Sequence, residues 1–401
     1  MNIFSFAKKI TTIIFIICIF AFTIVNLFFT FPKVKDALYP LVVNYELEPN
    51  KYIKAIQKTV NDNVFAKQLF IENFGLFQKI LQKDEVSNFY AIKDEQGKFH
   101  LTKFINNVST MEKQSNGTIQ LKQALDKVGT KLIYVMAPNK HIEGYTTFEK
   151  GLPQITCNQD ADIFLDTIKN YGVDYIDLRK NIKNSNLEYD KLFYNIDHHW
   201  TTNTGFWAFG EIVQHIKNKY NHNLDPQFFY TNIDNYNITT YKNSFSGVVG
   251  RKTGVLYTGY EDFNLIYPKF PTNYNYTVSS ENIIIENQPF ENSLININKL
   301  NEKANLLSPP PDRYDCLLWG NKSFAQIENL NLPDGPKVLI IKDSFALPTT
   351  AYLSTVCSKI DVIDPRMFHE NIVEFSVTNQ YDYVIILFTA GNLTEEIFGF
   401  E

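Results

Sequence analysis

An uncharged apolar run near the N-terminus places the strongest constraint on this chain. Residues 11–31 read TTIIFIICIFAFTIVNLFFTF and contain no charged side chain. About 20 apolar residues are enough for a helix to cross the hydrocarbon core of a bilayer. A cleaved signal peptide has a shorter apolar region and a small-residue cleavage site, whereas this run ends in bulky aromatic residues. We therefore predict an uncleaved transmembrane anchor over residues 11–31.

The charges on either side of the run indicate how the anchor is oriented. Lys8 and Lys9 precede the run, and Lys33 and Lys35 follow it, so the positive charges on the two sides are nearly balanced. The short tail before the run carries its two lysines and no acidic residue, and such a tail most simply stays inside. We expect residues 1–10 to form a cytoplasmic tail and the chain beyond the anchor to lie outside the cytoplasm.

Composition excludes several classes of protein. The chain has 401 residues, of which 44% are hydrophobic, so it can bury a sizeable core. Its net charge is −5, and without a basic excess we expect no nucleic-acid partner. Cys18 lies in the apolar run, and the other three cysteines have no metal-like spacing and cannot all pair. We predict that Cys157, Cys316 and Cys357 are buried side chains and that the protein holds no structural zinc.

Periodic patterning divides the rest of the chain into a helical part and an α/β part. Apolar residues recur near helical spacing over residues 52–82, and we expect residues 32–115 to form a helical stalk or lid. Further along, amphipathic helical segments alternate with buried runs such as KLIYVMA and YVIILF. This alternation is typical of an α/β domain with a parallel sheet, which we assign to residues 116–401. Within it, residues 222–300 are predicted to be an irregular β insertion, and LLSPPPDRY, residues 306–314, a rigid linker.

A serine lies at the turn between a predicted strand and a predicted helix. In VLIIKDSFALPTT, residues 338–350, four apolar residues form the strand and Ser344 follows at its carboxyl end. Open α/β sheets bind ligands at that edge, and the free N–H groups of the following helix can stabilise an oxyanion. Taken alone, a serine in this position is more often a helix N-cap.

The stretch NIDHHW, residues 195–200, supplies a base for such a serine. A hydroxyl is a weak nucleophile until a base accepts its proton. His199 can accept the proton, and Asp197 can orient the imidazole and stabilise its cationic form. In an extended loop a two-residue offset places both side chains on one side of the backbone, so we expect His198 to point away and Trp200 to bury the loop. The two stretches together predict a Ser–His–Asp triad.

The order of these motifs resembles that of the DHHW family, which is related to the alginate O-acetyltransferase proteins of the SGNH hydrolase superfamily. DHHW is followed by an amphipathic helix, and KDSF comes later, after a buried strand. The stretches APNKHIEGY, FSGVVGRKTG, VIDPR and YDYVIILF resemble further segments of that family. The likeness covers about residues 45–401, and the order of the motifs is more specific than any one of them.

The resemblance implies a flavodoxin-like, three-layer α/β/α domain of the SGNH type. It implies that Ser344 is the nucleophile, His199 the base and Asp197 its partner, without a metal or another cofactor. In that superfamily the serine N–H, a glycine and an asparagine build the oxyanion hole. The candidates for the oxyanion hole or for substrate binding are Asn392, Gly320, Asn321, Arg366 and Lys140.

Partners and location are also implied by the resemblance. Relatives with established roles transfer acetyl groups to hydroxyls of an extracellular polysaccharide, and a membrane-bound O-acyltransferase usually delivers the acetyl group across the bilayer. We therefore expect a single-pass protein of the cell membrane with an extracytoplasmic catalytic domain. That domain would be a serine-dependent O-acetyltransferase or acetylesterase acting on a cell-surface or secreted polysaccharide.

Two other interpretations remain open. Asp-His-His also occurs in metal-dependent phosphoesterases, which need further aspartates, and NQDADIF supplies Asp160 and Asp162 at an apparent helix start. Bound manganese would support that interpretation. Alternatively, the chain is a non-catalytic polysaccharide-binding or scaffold protein of cell-envelope assembly, and a Ser344→Ala variant that loses nothing would favour it.

Overall fold

The computed structural model describes residues 3–86, 89–101, 111–149, 156–305 and 310–400. These residues form two compact units, one of residues 3–74 with residue 305 and the other of residues 75–304 with 310–400. Parts of the predicted stalk, residues 87–88 and 102–110, and part of the predicted linker, residues 306–309, lie outside the described residues.

Helices build the first unit. Its helices are α1, Ile3–Val43, α2, Pro49–Asp62, and the first part of α3, Lys67–Ile80. The part of α1 from Phe6 to Val43 is long and apolar enough, by length and composition, to cross a membrane. The predicted apolar helix is therefore present, and it extends beyond residues 11–31 at both ends.

The second unit contains the rest of α3, the strands and the remaining helices. Its strands are β1, Glu85–Val86; β2, Ala91–Lys93; β3, Phe99–Leu101; β4, Lys131–Ala137; β5, Asp174–Asp177; β6, Tyr236–Phe245; β7, Glu261–Pro268; β8, Tyr274–Val278; β9, Ile283–Gln288; β10, Phe324–Asn329; β11, Lys337–Lys342; β12, Lys359–Ile363; and β13, Tyr383–Thr389. Its remaining helices are α4, Glu112–Asp126; α5, Cys157–Asn170; α6, Leu178–Lys183; α7, Thr202–Tyr220; α8, Gly247–Thr253; α9, Val255–Thr258; α10, Phe290–Ser293; α11, Ile297–Leu300; α12, Ala346–Leu353; and α13, Ile372–Thr378.

An eight-stranded sheet lies at the centre of this unit, in the order β5-β4-β13-β11-β12-β10-β8-β9. The strands from β5 to β12 in that order are parallel. Alternate side chains of β11 enter opposite cores: Val338 and Ile340 join α7 and α12 on one face, and Leu339 and Ile341 join α4 and α5 on the other. The domain is therefore a three-layer α/β/α domain with a mostly parallel sheet, as predicted.

The predicted β insertion is more regular than expected. β6 and β7 pair as a separate antiparallel ribbon, whereas β8 and β9 extend the central sheet beyond the antiparallel strand β10. Tyr274, Tyr276 and Val278 of β8 are buried. This part of the segment at 222–300 thus contributes to the core.

The carboxyl ends of the central strands position the site. β4, β13 and β11 are adjacent and parallel, with Ala137 opposite Thr389 and Leu387 opposite Lys342. Because parallel neighbours end at the same edge of a sheet, the loops that follow these strands meet there. Ser344 follows β11 in one of these loops.

Candidate active site

Ser344 occupies the turn between β11 and α12, as predicted. Its Oγ lies 2.7 Å from Nε2 of His199. The N-cap residue of α12 is Phe345, and its backbone N–H donates to Oδ1 of Asp343 at 2.9 Å. The Ser344 hydroxyl is therefore engaged with His199, and the capping alternative does not account for it.

Asp197 forms a hydrogen bond with the other ring nitrogen of His199. Nδ1 of His199 lies 2.6 Å from Oδ1 of Asp197, and the His199 backbone N–H donates to the same oxygen at 2.8 Å. Oδ2 of Asp197 accepts the backbone N–H of Val248 at 2.6 Å. Asp197 is only 1% exposed, so these donors take the place of water around a buried carboxylate.

The charge of Asp197 fixes the tautomer of His199. Burial alone would raise the pKa of Asp197, but the imidazoles of His199 and His198 outweigh it and hold that pKa below its usual range. Asp197 is thus an anion, so Nδ1 of His199 carries the proton that it donates, and Nε2 of the neutral ring accepts the Ser344 O–H. Burial lowers the pKa of His199, but the Asp197 carboxylate, together with the charges of Asp312 and Asp315, raises it, and the net shift is upward.

Aromatic side chains hold the loop of residues 195–200, called the histidine loop, against the turn that contains Ser344. The His199 ring stacks on Tyr314, with ring centroids 4.1 Å apart and planes at 12°. The indole N–H of the fully buried Trp200 donates to the carbonyl of Phe345 at 2.9 Å. Trp200 buries the loop as predicted, whereas Tyr314 lies in the segment that the sequence indicates only as a linker.

His198 does not point away from the array. Its Nδ1 lies 3.4 Å from Oδ1 of Asp197, its ring centroid is 3.9 Å from that of His199, and its side chain is 36% exposed. The reason is local, since residues 195–199 form successive bends and not an extended strand. Asp197 and His199 lie in hydrogen-bond contact, but the extended geometry assumed for His198 was wrong.

A cavity of 230 Å³ opens beside Ser344. Its lining includes three of the predicted candidates, Asn392, Arg366 and Lys140. Among its other lining residues are four polar ones for which no site role was predicted, namely His100, Asn139, Asp343 and Thr389. Three of these four could have been found from their position, because Asn139, Asp343 and Thr389 lie at or just after the carboxyl ends of neighbouring parallel strands. His100 lies in the hairpin of β2 and β3, for which the sequence carries no such signal.

The predicted oxyanion candidates are placed differently from one another. Asn392 lines the cavity, and its amide nitrogen lies 3.4 Å from Oδ2 of Asp343. Among the residues that the structure describes, neither Gly320 nor Asn321 lines it. Oδ1 of Asn321 instead accepts a hydrogen bond from the buried ammonium of Lys342 at 2.6 Å.

Arg366 and Lys140, the two cationic candidates, make different contacts. Arg366 donates through Nε and Nη2 to both oxygens of the fully buried Asp364, at 2.8 and 2.5 Å. Its side chain remains 34% exposed and borders the cavity. Lys140 is buried and donates to the carbonyl oxygens of three other residues. These bonds use all three ammonium protons and leave none for a substrate anion.

A second imidazole–carboxylate pair borders the cavity. Nε2 of His100 lies 2.8 Å from Oδ2 of Asp94, and both side chains are buried. Burial lowers the pKa of His100 to about 4, although the hydrogen bond to Asp94 opposes it. Burial raises the pKa of Asp94, but the hydrogen bonds from His100 and the Lys98 backbone, with the charges of His100 and Lys140, lower it, and the net shift is downward. His100 is therefore neutral near pH 7, with its proton on the nitrogen that faces Asp94.

The histidine loop also brings three metal-ligand side chains together. Ligand atoms of Asp197, His198 and His199 lie within 4.8 Å of one another and could hold an ion. Asp160 and Asp162, which the phosphoesterase interpretation needs, are not in this group within the described chain. Both ring nitrogens of His199 already take part in hydrogen bonds with the carboxylate and the serine. The contacts of the described residues therefore favour proton transfer.

The fold is that of an SGNH-like α/β domain. Residues 100–239 match the family described as "SGNH hydrolase-like domain, acetyltransferase AlgX", which confirms the relationship that the motifs indicate. The matched segment contains Asp197 and His199 but ends before Ser344, so the family match does not assign the serine. The family description supports an acyl-transfer role. No curated protein sequence matches the chain significantly.

Solved structures of similar fold include two from Bacillus cereus and one from Eubacterium siraeum. PatB1 of Bacillus cereus with a sulfonyl adduct has a TM-score of 0.63 at 17% identity, covering 78% of this chain and 98% of its own. A second PatB1 structure has a TM-score of 0.59 at 17% identity, covering 78% of this chain and 99% of its own. A DHHW family protein from Eubacterium siraeum has a TM-score of 0.53 at 14% identity, covering 77% of this chain and 93% of its own. At these identities the likeness establishes the fold.

Proposed function

We propose that this chain is a serine-dependent O-acetyltransferase or acetylesterase that acts on a cell-surface or secreted polysaccharide. One observation carries the proposal: His199 bridges Ser344 and Asp197 through its two ring nitrogens, at 2.7 and 2.6 Å. This is the arrangement that activates a serine hydroxyl for acyl transfer. The match to a family described as an acetyltransferase supports acetyl as the group transferred.

The proposed reaction has two halves. Oγ of Ser344 attacks the acetyl carbonyl of the donor while Nε2 of His199 takes the serine proton and passes it to the departing group. The acetyl-serine is then attacked by a sugar hydroxyl or by water, whose proton goes to Nε2 and returns to Ser344 as the ester bond breaks. Asp197 keeps Nδ1 protonated and stabilises the imidazolium that forms in each half.

Asn392 is the side chain we propose for the oxyanion hole, because it lines the cavity that holds Ser344. The backbone N–H of Ser344 would be the second donor, and both would stabilise the negative oxygen of the tetrahedral intermediate. The partly exposed Arg366 at the cavity border is the proposed contact to the polysaccharide.

We propose the membrane placement on separate grounds. The apolar helix α1 is long enough to anchor the chain, and the resemblance implies an extracytoplasmic domain on the far side of the membrane. A membrane-bound O-acyltransferase is the proposed acyl donor, since acetyl groups activated in the cytoplasm must cross the bilayer to reach such a domain.

The test follows the reactive serine directly. The full chain in detergent is treated with an aryl sulfonyl fluoride, and the adduct is located by peptide mass; separately, release of phenolate from an aryl acetate is followed. We expect the adduct on Ser344 and a loss of hydrolysis on the order of 10³-fold in Ser344→Ala and in His199→Ala. Matched controls are Ser280→Ala and His369→Ala, at exposed positions of the same unit, which should retain the wild-type rate.

Two results would contradict the proposal. An adduct elsewhere, with hydrolysis unaffected in Ser344→Ala, would remove Ser344 as the nucleophile. Neither adduct nor hydrolysis in the wild type would favour the non-catalytic polysaccharide-binding alternative, and binding of acetylated and deacetylated polysaccharide would then be compared.

A further inference from the structure

Helix α3 buries polar side chains and exposes apolar ones. Gln68, Glu72 and Gln78 are buried, and the amide of Gln68 donates to Glu72 at 2.8 Å. Phe70 and Phe74, one turn apart, are 58% and 47% exposed. The same outward pattern includes Leu69, Leu76, Phe77 and Ile80. A helix on the surface of a water-soluble domain shows the opposite polarity.

The exposed rings of the first part of α3 continue the apolar surface of α1. The ring of Phe70 lies 5.7 Å from that of Phe22, and the ring of Phe65, just before α3, lies 5.1 Å from that of Phe29. Phe22 and Phe29 belong to the uncharged run at residues 11–31, whose bulky side chains are largely exposed. The two helices therefore present one joined apolar surface within the first unit.

The turn between α2 and α3 has its polar groups satisfied by α1. The backbone N–H of Phe65 donates to Oδ1 of Asn26 at 2.8 Å. Asn63 accepts from Thr30 at its carbonyl, at 3.2 Å, and from the Lys33 ammonium at its side chain, at 2.6 Å. Non-helical backbone is tolerated at membrane depth only where such partners satisfy it. Asn26 and Thr30 are polar residues within the apolar run itself.

From these observations we propose that α3 is a second membrane-contacting element. Its face of Leu69, Phe70 and Phe74 inserts into the lipid leaflet in which the apolar run of α1 ends, beside α1. The occupant is lipid because the face is continuous with the surface of α1, which has the length and composition of a membrane span. Lys67, at the start of α3, can extend its ammonium to the headgroups. The proposal rests on the membrane placement of α1 given above.

The experiment places reporter tryptophans in the full chain, reconstituted in vesicles of phosphatidylcholine and phosphatidylglycerol. Phe74→Trp reports on α3, Ile17→Trp on α1, and Lys58→Trp, at an exposed position of α2, serves as the control. The fluorescence that each new tryptophan adds to that of the three native ones is measured with two quenchers. Phospholipids brominated on their acyl chains quench tryptophans in the bilayer, and aqueous iodide quenches tryptophans in water. Thermal unfolding at the wild-type Tm verifies that each variant is folded.

We expect brominated lipid to remove the added emission of Phe74→Trp and Ile17→Trp, and iodide to remove that of Lys58→Trp. Quenching of Ile17→Trp by lipid but of Phe74→Trp by iodide would show that α3 lies in water and overturn the proposal alone. Protection of Phe74→Trp from both quenchers would show that protein covers the face and also overturn it. If lipid quenched neither reporter, the membrane placement of α1 would fail as well, while the acyl-transfer proposal would still rest on its own test.

Discussion

The ammonium group of Lys140 donates at 2.8 Å to the backbone carbonyl of Asp197, in the loop that carries Asp197 and His199. It also donates to the carbonyls of Asn195, at 2.8 Å, and Phe99, at 2.6 Å. Burial lowers the pKa of Lys140 to about 7 although nearby carboxylates oppose it, and the three carbonyl oxygens favour the protonated form. Lys140 thus fixes the backbone from which Asp197 projects.

Glu261 holds the same loop through its amides. Its two carboxylate oxygens accept the backbone N–H groups of Asn195, at 2.7 Å, and Ile196, at 2.8 Å. The loop is therefore bonded on its carbonyl groups by a cation and on its N–H groups by an anion. This arrangement explains how a stretch of successive bends can hold Asp197 in one position.

Replacement of Lys140 by methionine should destabilise the protein and reduce hydrolysis. The variant keeps most of the apolar stem but removes the ammonium donor from three carbonyls, of which that of Asn195 keeps the Phe99 backbone N–H at 2.9 Å. A buried carbonyl left without a donor costs about 1–3 kcal/mol. We expect a lower Tm and a lower kcat/KM for an aryl acetate, measured by thermal unfolding and by phenolate release. Lys242→Met, at a side chain that is 79% exposed, is the matched control. An unchanged Tm in Lys140→Met would show that the three hydrogen bonds contribute nothing.

Gly247 is required where it approaches the triad loop. It has φ +57°, and a Cβ at this position would collide with the carbonyl oxygen of Ile196 and lie 2.9 Å from Cβ of Asp197. Gly247→Ala should therefore displace Asp197 and abolish most of the hydrolysis. Gly129→Ala is the control, since Gly129 has φ +81° and a Cβ added there would have no neighbour within 4 Å.

In both variants an alanine at positive φ adds about 1–2 kcal/mol of backbone strain, so the stability of both should fall. Only Gly247→Ala should also lose hydrolytic activity. The measurements are thermal unfolding and phenolate release by the purified variants. Equal activity in the two variants would mean that the close approach at Gly247 does not position Asp197.

The rate of acyl-enzyme formation should rise with pH through the pKa of His199. The base must be neutral to accept the serine proton, and Asp197 raises its pKa, so the midpoint of kcat/KM should lie above the ordinary value of about 6.5. Asp197→Asn removes the anion that stabilises the imidazolium. We therefore expect its midpoint to move to lower pH and its plateau to fall by about 10²-fold or more. A midpoint unchanged by Asp197→Asn would exclude Asp197 as the source of the shift.

The parts of the fold that the sequence predicts are those that depend on local signals. The apolar runs of β4, β11 and β13 indicate buried parallel strands, because strands covered on both faces need apolar residues throughout. The extension of the sheet by β8 and β9 was not predicted, since alternation identifies a strand but does not specify its partner. The ends of α1 were also missed, because the helix continues past the uncharged run that defined the prediction.

The proposed triad was predictable for a similar reason, and its surroundings were not. Ser344 follows a strand and precedes a helix, and Asp197 and His199 are two residues apart, so each leaves a pattern in a short stretch. Tyr314 stacks on His199 from a distant, proline-rich segment, and no short pattern records that contact. Lys140 was a substrate-binding candidate because its actual partners are backbone carbonyls. Every residue has a backbone carbonyl, so no sequence pattern indicates which ones a lysine binds.

The aromatic ring of Tyr314 should matter to the histidine, and its hydroxyl should matter much less. The ring stacks on His199 at 4.1 Å, whereas the hydroxyl makes only a 3.4 Å hydrogen bond to the Phe345 carbonyl. Tyr314→Phe keeps the stack and should retain most of the activity. Tyr314→Leu removes an aromatic contact worth about 0.5–1.5 kcal/mol and should lower kcat several-fold.

The same pair of variants distinguishes an effect on the imidazolium from a loss of packing. An aromatic face stabilises a cation above it, so Tyr314→Leu should also move the midpoint of the pH–rate profile downward, and Tyr314→Phe should leave it in place. Thermal unfolding of both variants measures the change in packing separately. If Tyr314→Leu lowered stability without moving the midpoint, the ring would only support the loop, and the raised pKa of His199 would depend on the carboxylates alone.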